Sequence, residues 1–332
     1  MRPLEPARAA PASYVSAILA ATAIPAATAA RGTARTAARA SAAALAAVLL
    51  LGGCAARIRY ETPVDPLAVL SGDAFLYARI REPSLALLAP ALLPEEEARA
   101  IAPLLARSRE LGLALTPPGG PGERPGLEAL LVGDYPFRSA SLALAGDGAW
   151  KREGPGYANA AAGVRVALPG PTVVLASSGP IEPLVGRLKA PGPEPVPARL
   201  SPLAGREVVL YAPLPFDRLA ESLLGERLDI PARGLILAAE RAGAVPGAPE
   251  GAGSEAAYDL ALAFLMEDED SARIYKGAAR LAWYALVRSL FPEEAEAILS
   301  RRIEAEGDLV AAAGIRVKAS SLAGALARLG GR

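Results

Sequence analysis

With 332 residues, 35 basic against 35 acidic side chains and 52% hydrophobic residues, the chain is long enough for two ordinary domains and can bury a sizeable core. It contains no histidine and a single cysteine, Cys54; this excludes a Ser-His-Asp triad, a histidine general base, histidine-rich metal sites, an intramolecular disulfide and a zinc site built on paired thiolates. Five arginines precede Cys54 and leave 30 basic against 34 acidic residues from there on, so the remainder lacks the basic balance expected of a nucleic-acid partner.

Residues 1–30 carry an apolar run, Tyr14 to Ala30, and are read as an N-terminal extension produced by an early start codon. Residues 31–54, RGTARTAARASAAALAAVLLLGGC, place Arg31, Arg35 and Arg39 before an uninterrupted apolar run from Ala42 to Leu51. A basic, acid-free stretch followed by a short apolar run is the pattern of a secretory signal, too short to span a bilayer, which needs about 20 residues. Residues 1–53 are therefore expected to be a signal peptide with its extension.

The end of that run, Leu51-Gly52-Gly53-Cys54, resembles the lipobox of bacterial lipoproteins. The resemblance implies that Leu51, Gly52 and Gly53 are the signal-peptidase recognition residues and that Cys54 is the lipid-attachment residue and first mature residue. It also implies diacylglycerol on the thiol, and acylation, for example with palmitate, of the new amino group. More than one chain is needed for stable anchoring, at about 0.8 kcal/mol per buried methylene. Ala55 follows the cysteine rather than an aspartate, which favours the outer over the inner membrane.

Residues 54–70 read as a tether with two prolines and mixed charge. A second break, KAPGPEPVPARLSP (189–202), holds five prolines and cannot lie within a regular helix or central strand. It separates a first α+β module (71–190) from a second (200–332).

In chain order, DAFLYARIREPSLALLAPALLP from Asp73 predicts a strand and a leucine-rich helix, and PEEEARAIAPLLARSRELGL (94–113) a longer helical stretch. LEALLVGDY (127–135) and SASLALAGD (139–147) alternate at period two and predict strands. GDGAWKREGPG (146–156) is a turn region, and residues 160–188 predict two β runs and a short helix. The second module repeats this order. EVVLYAPLPFDRLAESLLG from Glu207 aligns with the start of the first, matching Tyr211 to Tyr77. Strands follow at 233–243 and 256–267, then a long helix after Asp270, and residues 304–329 close the module as 160–188 close the first. The fold expected is α+β: two similar modules of antiparallel sheet with helices packed on one face, produced by internal duplication. TPPGGPGERPG (116–126) and GAVPGAPEGAGSE (243–255) have the composition of hairpin tips.

Candidate chemistry is sparse. Ser177 and Ser178 lack a GxSxG elbow, and none of the lysines, Lys151, Lys189, Lys276 or Lys318, is linked to them by spacing. The acidic clusters Glu95–Glu97, Glu267–Asp270 and Glu293, Glu294 and Glu296 stand at helix starts, where negative charge complements the dipole, and none has a calcium-loop pattern. No catalytic residue, metal site or cofactor is assigned. One constellation is singled out: Arg273, Lys276, Arg280, Tyr284 and Arg288 form a stripe on the long helix, a face suited to anionic membrane lipid or an acidic partner.

The functional expectation is a lipid-anchored protein of the bacterial cell envelope, without enzymatic activity, acting as a binding or assembly module. Its partners would be the membrane, through Cys54, and an envelope protein or polypeptide, with no nucleic acid. The alternative is an envelope hydrolase or transferase using carboxylates or serine without histidine.

Overall fold

The computed structural model describes residues 65–89, 102–118, 125–213, 231–242 and 256–329. The lipobox with Cys54, the cluster Glu95–Glu97, the tips of the two glycine-proline loops and the helix expected after Pro213 lie outside the described residues.

The chain is an α+β protein built on one large antiparallel sheet. The first half contributes α1 (Pro66–Val69), β1 (Leu76–Arg81), α2 (Ser84–Leu88), β2 (Ser108–Thr116), β3 (Gly126–Gly133), α3 (Phe137–Gly146), β4 (Lys151–Glu153), β5 (Gly156–Asn159), β6 (Val164–Gly170), β7 (Val173–Ser177) and α4 (Glu182–Lys189). After a turn of 3-10 helix at Ala198–Leu200 come α5 (Ser201–Ala204), β8 (Val208–Pro213), β9 (Ala232–Arg241), β10 (Ala257–Met266), α6 (Glu269–Leu290), α7 (Ala295–Leu299), β11 (Glu304–Glu306), β12 (Leu309–Lys318) and α8 (Ala319–Leu329). The strand order is β11-β12-β10-β9-β8-β1-β2-β3-β7-β6-β5-β4. Both halves thus share one sheet, joined where β1 pairs with β8. At that seam Tyr77 lies directly opposite Tyr211, their rings stacked with centroids 6.3 Å apart.

Period-two alternation explains why the sheet takes helices on both faces. In β1, Leu76 and Ile80 enter the larger core while Tyr77 enters the smaller one; in β3, Leu127, Ala129 and Leu131 face the first and Leu130 the second. The larger core is covered by α2, α3, α6, α7 and α8, through Leu85, Leu144, Trp283, Ile298 and Leu322 among others. The opposite face is covered by α1, α4 and the 198–204 turns, through Leu67, Leu184, Leu200 and Ala204. The expectation of helices on one face is corrected accordingly: the central strands are apolar on both sides, and each apolar side must be covered.

Two further expectations are corrected. Residues 108–113, read as the end of a helix, belong to β2: Leu111 lies in the larger core, with Leu113 and Leu115 packed against it. Gly112 on the other side lets α1 approach so closely that a Cβ there would stand 2.6 Å from Pro66 Cβ. Residues 139–147, read as a strand from the alternation of Ala140, Leu142 and Leu144, belong instead to α3. Ala140 and Leu144, one turn apart, are buried, whereas Leu142 is 74% exposed.

The end of the expected tether is also part of the body. Asp65 caps α1 by accepting the Leu67 N–H at 3.0 Å and lies 3.8 Å from the buried Arg79. Leu67, Val69 and Leu70 are buried in the smaller core. Arg187 of α4 clasps this segment, donating Nε–H to the Val69 carbonyl at 2.8 Å and Nη2–H to both Glu128 oxygens at 2.5 and 2.6 Å. Glu128 also accepts the Ser71 N–H at 2.8 Å. The sheet ends in β4 and β11, three-residue strands that are exposed and charged, a design that discourages edge pairing.

Candidate functional site

α6 is positioned by its sequence. Asp268 caps it, accepting the Ser271 N–H at 2.7 Å, and that hydrogen bond, with one from the Ser271 hydroxyl, holds the Asp268 carboxyl below its usual pKa. Ala272, Ala279, Ala282, Trp283, Leu286, Val287 and Leu290 repeat at helical spacing and are buried against the sheet. Each large member contributes about 1.5–3 kcal/mol relative to exposure. Burial of that stripe turns the other side outward: Arg273, Lys276, Gly277, Arg280 and Arg288 are exposed, as are Ile274 and Leu281.

The five residues of the expected stripe have different fates. Arg273 is held by acids of its own first turns, 3.6 Å from Glu269 and 3.3 Å from Asp270. Arg280 donates Nε–H to the half-buried Tyr284 hydroxyl at 2.8 Å, its guanidinium 5.3 Å from that ring centroid. Lys276 and Arg280 line a cleft of about 690 Å³ between α6 and residues 299–304. Arg273, Tyr284 and Arg288 are not among its lining residues.

The cleft brings in residues that reading α6 alone misses. Arg301 and Arg302 are exposed in the turn between α7 and β11, with Leu299, Ser300, Ile303 and Glu304 completing the wall. Ile303 is buried and ties the turn to the larger core. The Ser300 hydroxyl donates to the Ala297 carbonyl at 2.7 Å and the Arg301 N–H to the Ile298 carbonyl at 3.1 Å, so the dibasic pair stands on a hydrogen-bonded helix end. The available signal was the adjacent Arg301-Arg302, two cations ahead of a short strand.

Ser177, Ser178 and Glu294 are engaged in the fold. Ser177 accepts the Gly179 N–H at 3.0 Å and Ser178 accepts the Leu127 N–H at 2.8 Å, closing the end of β7. Ser84 donates to Glu207 and accepts from the Tyr258 hydroxyl at 2.8 Å, both Ser84 and Tyr258 being fully buried. Glu294 accepts the Lys318 N–H at 3.2 Å. Among the described residues no group of three or more Asp, Glu, His or Cys could hold a metal ion, and no helix is long and apolar enough to cross a membrane.

No protein-family model matches the chain, and no curated protein matches it in sequence. It is similar to solved structures of TP0453. Crystal form I matches with a TM-score of 0.54 at 18% identity, over 81% of this chain and 99% of that one. Form III matches with a TM-score of 0.54 at 16% identity, over 80% and 98%, and form IV with the same TM-score at 17% identity, over 80% and 97%. At these identities the likeness is one of fold.

Proposed function

We propose that this protein is lipid-anchored at Cys54 in a bacterial cell envelope, with an outer-membrane address, and that its α+β body is a non-enzymatic binding or assembly module. The observation that carries the reading is the ordered series of a basic stretch, an apolar run and Leu51-Gly52-Gly53-Cys54. Ten residues, 55–64, lie between Cys54 and Asp65, the first described residue. Extended, that tether reaches at most about 40 Å, so the body works close to the bilayer. A binding role is supported by the cleft beside α6. The basic stripe from Arg273 to Arg288 would present its cations toward anionic headgroups or an acidic partner.

We also infer that the body arose by internal duplication. Among the described residues the first half runs strand, helix, two strands, helix, four strands, helix, and the second runs three strands, two helices, two strands, helix; the aligned Tyr77 and Tyr211 meet across the seam between β1 and β8.

The anchor is tested by producing the chain and its Cys54→Ala variant in a bacterial host fed labelled palmitate. Label and membrane association in the first, with both lost in the second, are expected. A variant that stays tightly membrane-embedded would indicate an uncleaved helix and overturn the reading, as would an unlabelled wild-type chain.

A further inference from the structure

Four exposed arginines outside the cleft are matched with acids. Arg165 lies 3.2 Å from Glu153, Arg199 2.9 Å from Asp308, Arg316 3.2 Å from Asp259, and Arg273 is paired within α6. In the cleft, unpaired cations are gathered in one place. Lys276, Arg280, Arg301 and Arg302 share one concavity with a single carboxylate, Glu304, and none of the four forms an ion pair among the described residues. Glu294 accepts the Lys318 N–H and Asp308 pairs with Arg199, and neither lines the cleft. Like charges held together in a concave wall repel one another and concentrate a positive potential that an anion relieves.

A second observation comes from the backbone. Gly277 sits inside a helix of 22 residues, where glycine is unfavourable, yet a Cβ built there would meet nothing within 4 Å. Protein packing therefore does not require a glycine at this position. It does leave a bare strip of backbone on the cleft wall, over which a ligand can approach closely.

We propose that this cleft is a binding site for a phosphate-bearing anion carrying two to three negative charges. Four cations and one carboxylate leave a surplus of three positive charges, which a diphosphate group matches and a lone carboxylate does not. Arg301 and Arg302 supply planar forks for bidentate contact with phosphate oxygens, while Lys276 and the Tyr284-braced Arg280 close the opposite wall. The volume lies within the usual range for small-ligand sites. The group's source is either a soluble phosphate compound or a lipid headgroup at the membrane surface. The proposal does not rest on the lipid anchor: the residues it invokes all lie between 276 and 304.

The test uses the full chain carrying Cys54→Ala in neutral detergent, titrated calorimetrically with inorganic pyrophosphate. In parallel, the same chain is sedimented with phosphatidylcholine vesicles with and without phosphatidylglycerol. Saturable pyrophosphate binding that weakens with added salt is expected for a soluble ligand, and phosphatidylglycerol-dependent sedimentation for a headgroup. In either arm Arg301→Ser with Arg302→Ser should weaken binding about tenfold or more, two charge-assisted contacts being removed. Gly277→Leu should weaken it as well while leaving Tm equal or higher, because leucine favours the helix and its side chain fills only the cleft. Absence of binding in both arms, or binding unchanged by both variants, overturns the proposal. Loss of the anchor with binding intact would refute only the envelope reading.

Discussion

Glu128→Ala should loosen the point at which the expected tether joins the body. Glu128 is largely buried, its side chain 13% exposed, and receives two bonds from Arg187 and one from the Ser71 N–H, while Arg187 also holds the Val69 carbonyl. Removing the carboxylate leaves a partly buried guanidinium with one partner and Ser71 without its acceptor. Charge-assisted bonds contribute about 1.5–3 kcal/mol each, and the 26% exposure of Arg187 lets water recover part of that, so the expected loss is about 2–4 kcal/mol. For a body of this size the corresponding fall in Tm is roughly 4–12 °C. Glu128→Gln keeps the shape and an acceptor and should cost about half as much. Urea denaturation of Glu128→Ala, Arg187→Leu and the double variant should give a coupling of about 1–3 kcal/mol. Hydrogen exchange at residues 66–71 should accelerate before global unfolding does. A coupling below about 0.5 kcal/mol with unchanged exchange in that segment would refute the clasp.

Leu144→Ala should cost about 2–5 kcal/mol, since Leu144 is buried in the larger core, whereas Leu142→Ala on the exposed side of α3 should be nearly neutral; comparable losses at both sites in urea titrations would contradict the helix. Burial raises the pKa of Tyr77, Tyr135, Tyr211 and Tyr258, with Tyr211 pushed up to about 12. The folded chain therefore keeps protons that the unfolded chain releases from about pH 10. This stabilisation is complete below pH 10 and is lost as pH rises toward 12, so urea midpoints should fall in that window alongside tyrosinate absorbance. A flat profile would count against these burials.

Much of the α+β character was legible in the chain itself. Residues 126–133, 232–241 and 257–266 carry alternating apolar residues between turn signals and form strands. The Asp268 cap and the apolar repeat through Leu290 specify α6, because both are local. Residues 111–115 and 140–144 show why local pattern is insufficient: each alternates apolar residues, yet one is strand and the other helix. Leu111 faces a core with neighbours on both sides in the sheet, whereas Ala140 and Leu144 meet it from above. The arginines of α6 were visible as a stripe, but the cleft was not, because Arg301 and Arg302 come from a turn that only long-range packing of Ile303 brings against Lys276 and Arg280.

The amino-acid sequence by itself determined the residue types available for chemistry, the apolar periods of the longer elements and the lipobox-like stretch ending at Cys54, all of which depend on neighbours along the chain. Only the tertiary structure decided that β1 pairs with β8 to make one sheet, that helices cover both its faces, and that four cations share one cleft. Those outcomes arise from burying apolar surface between residues distant in sequence, and no local pattern encodes which distant surface will be met.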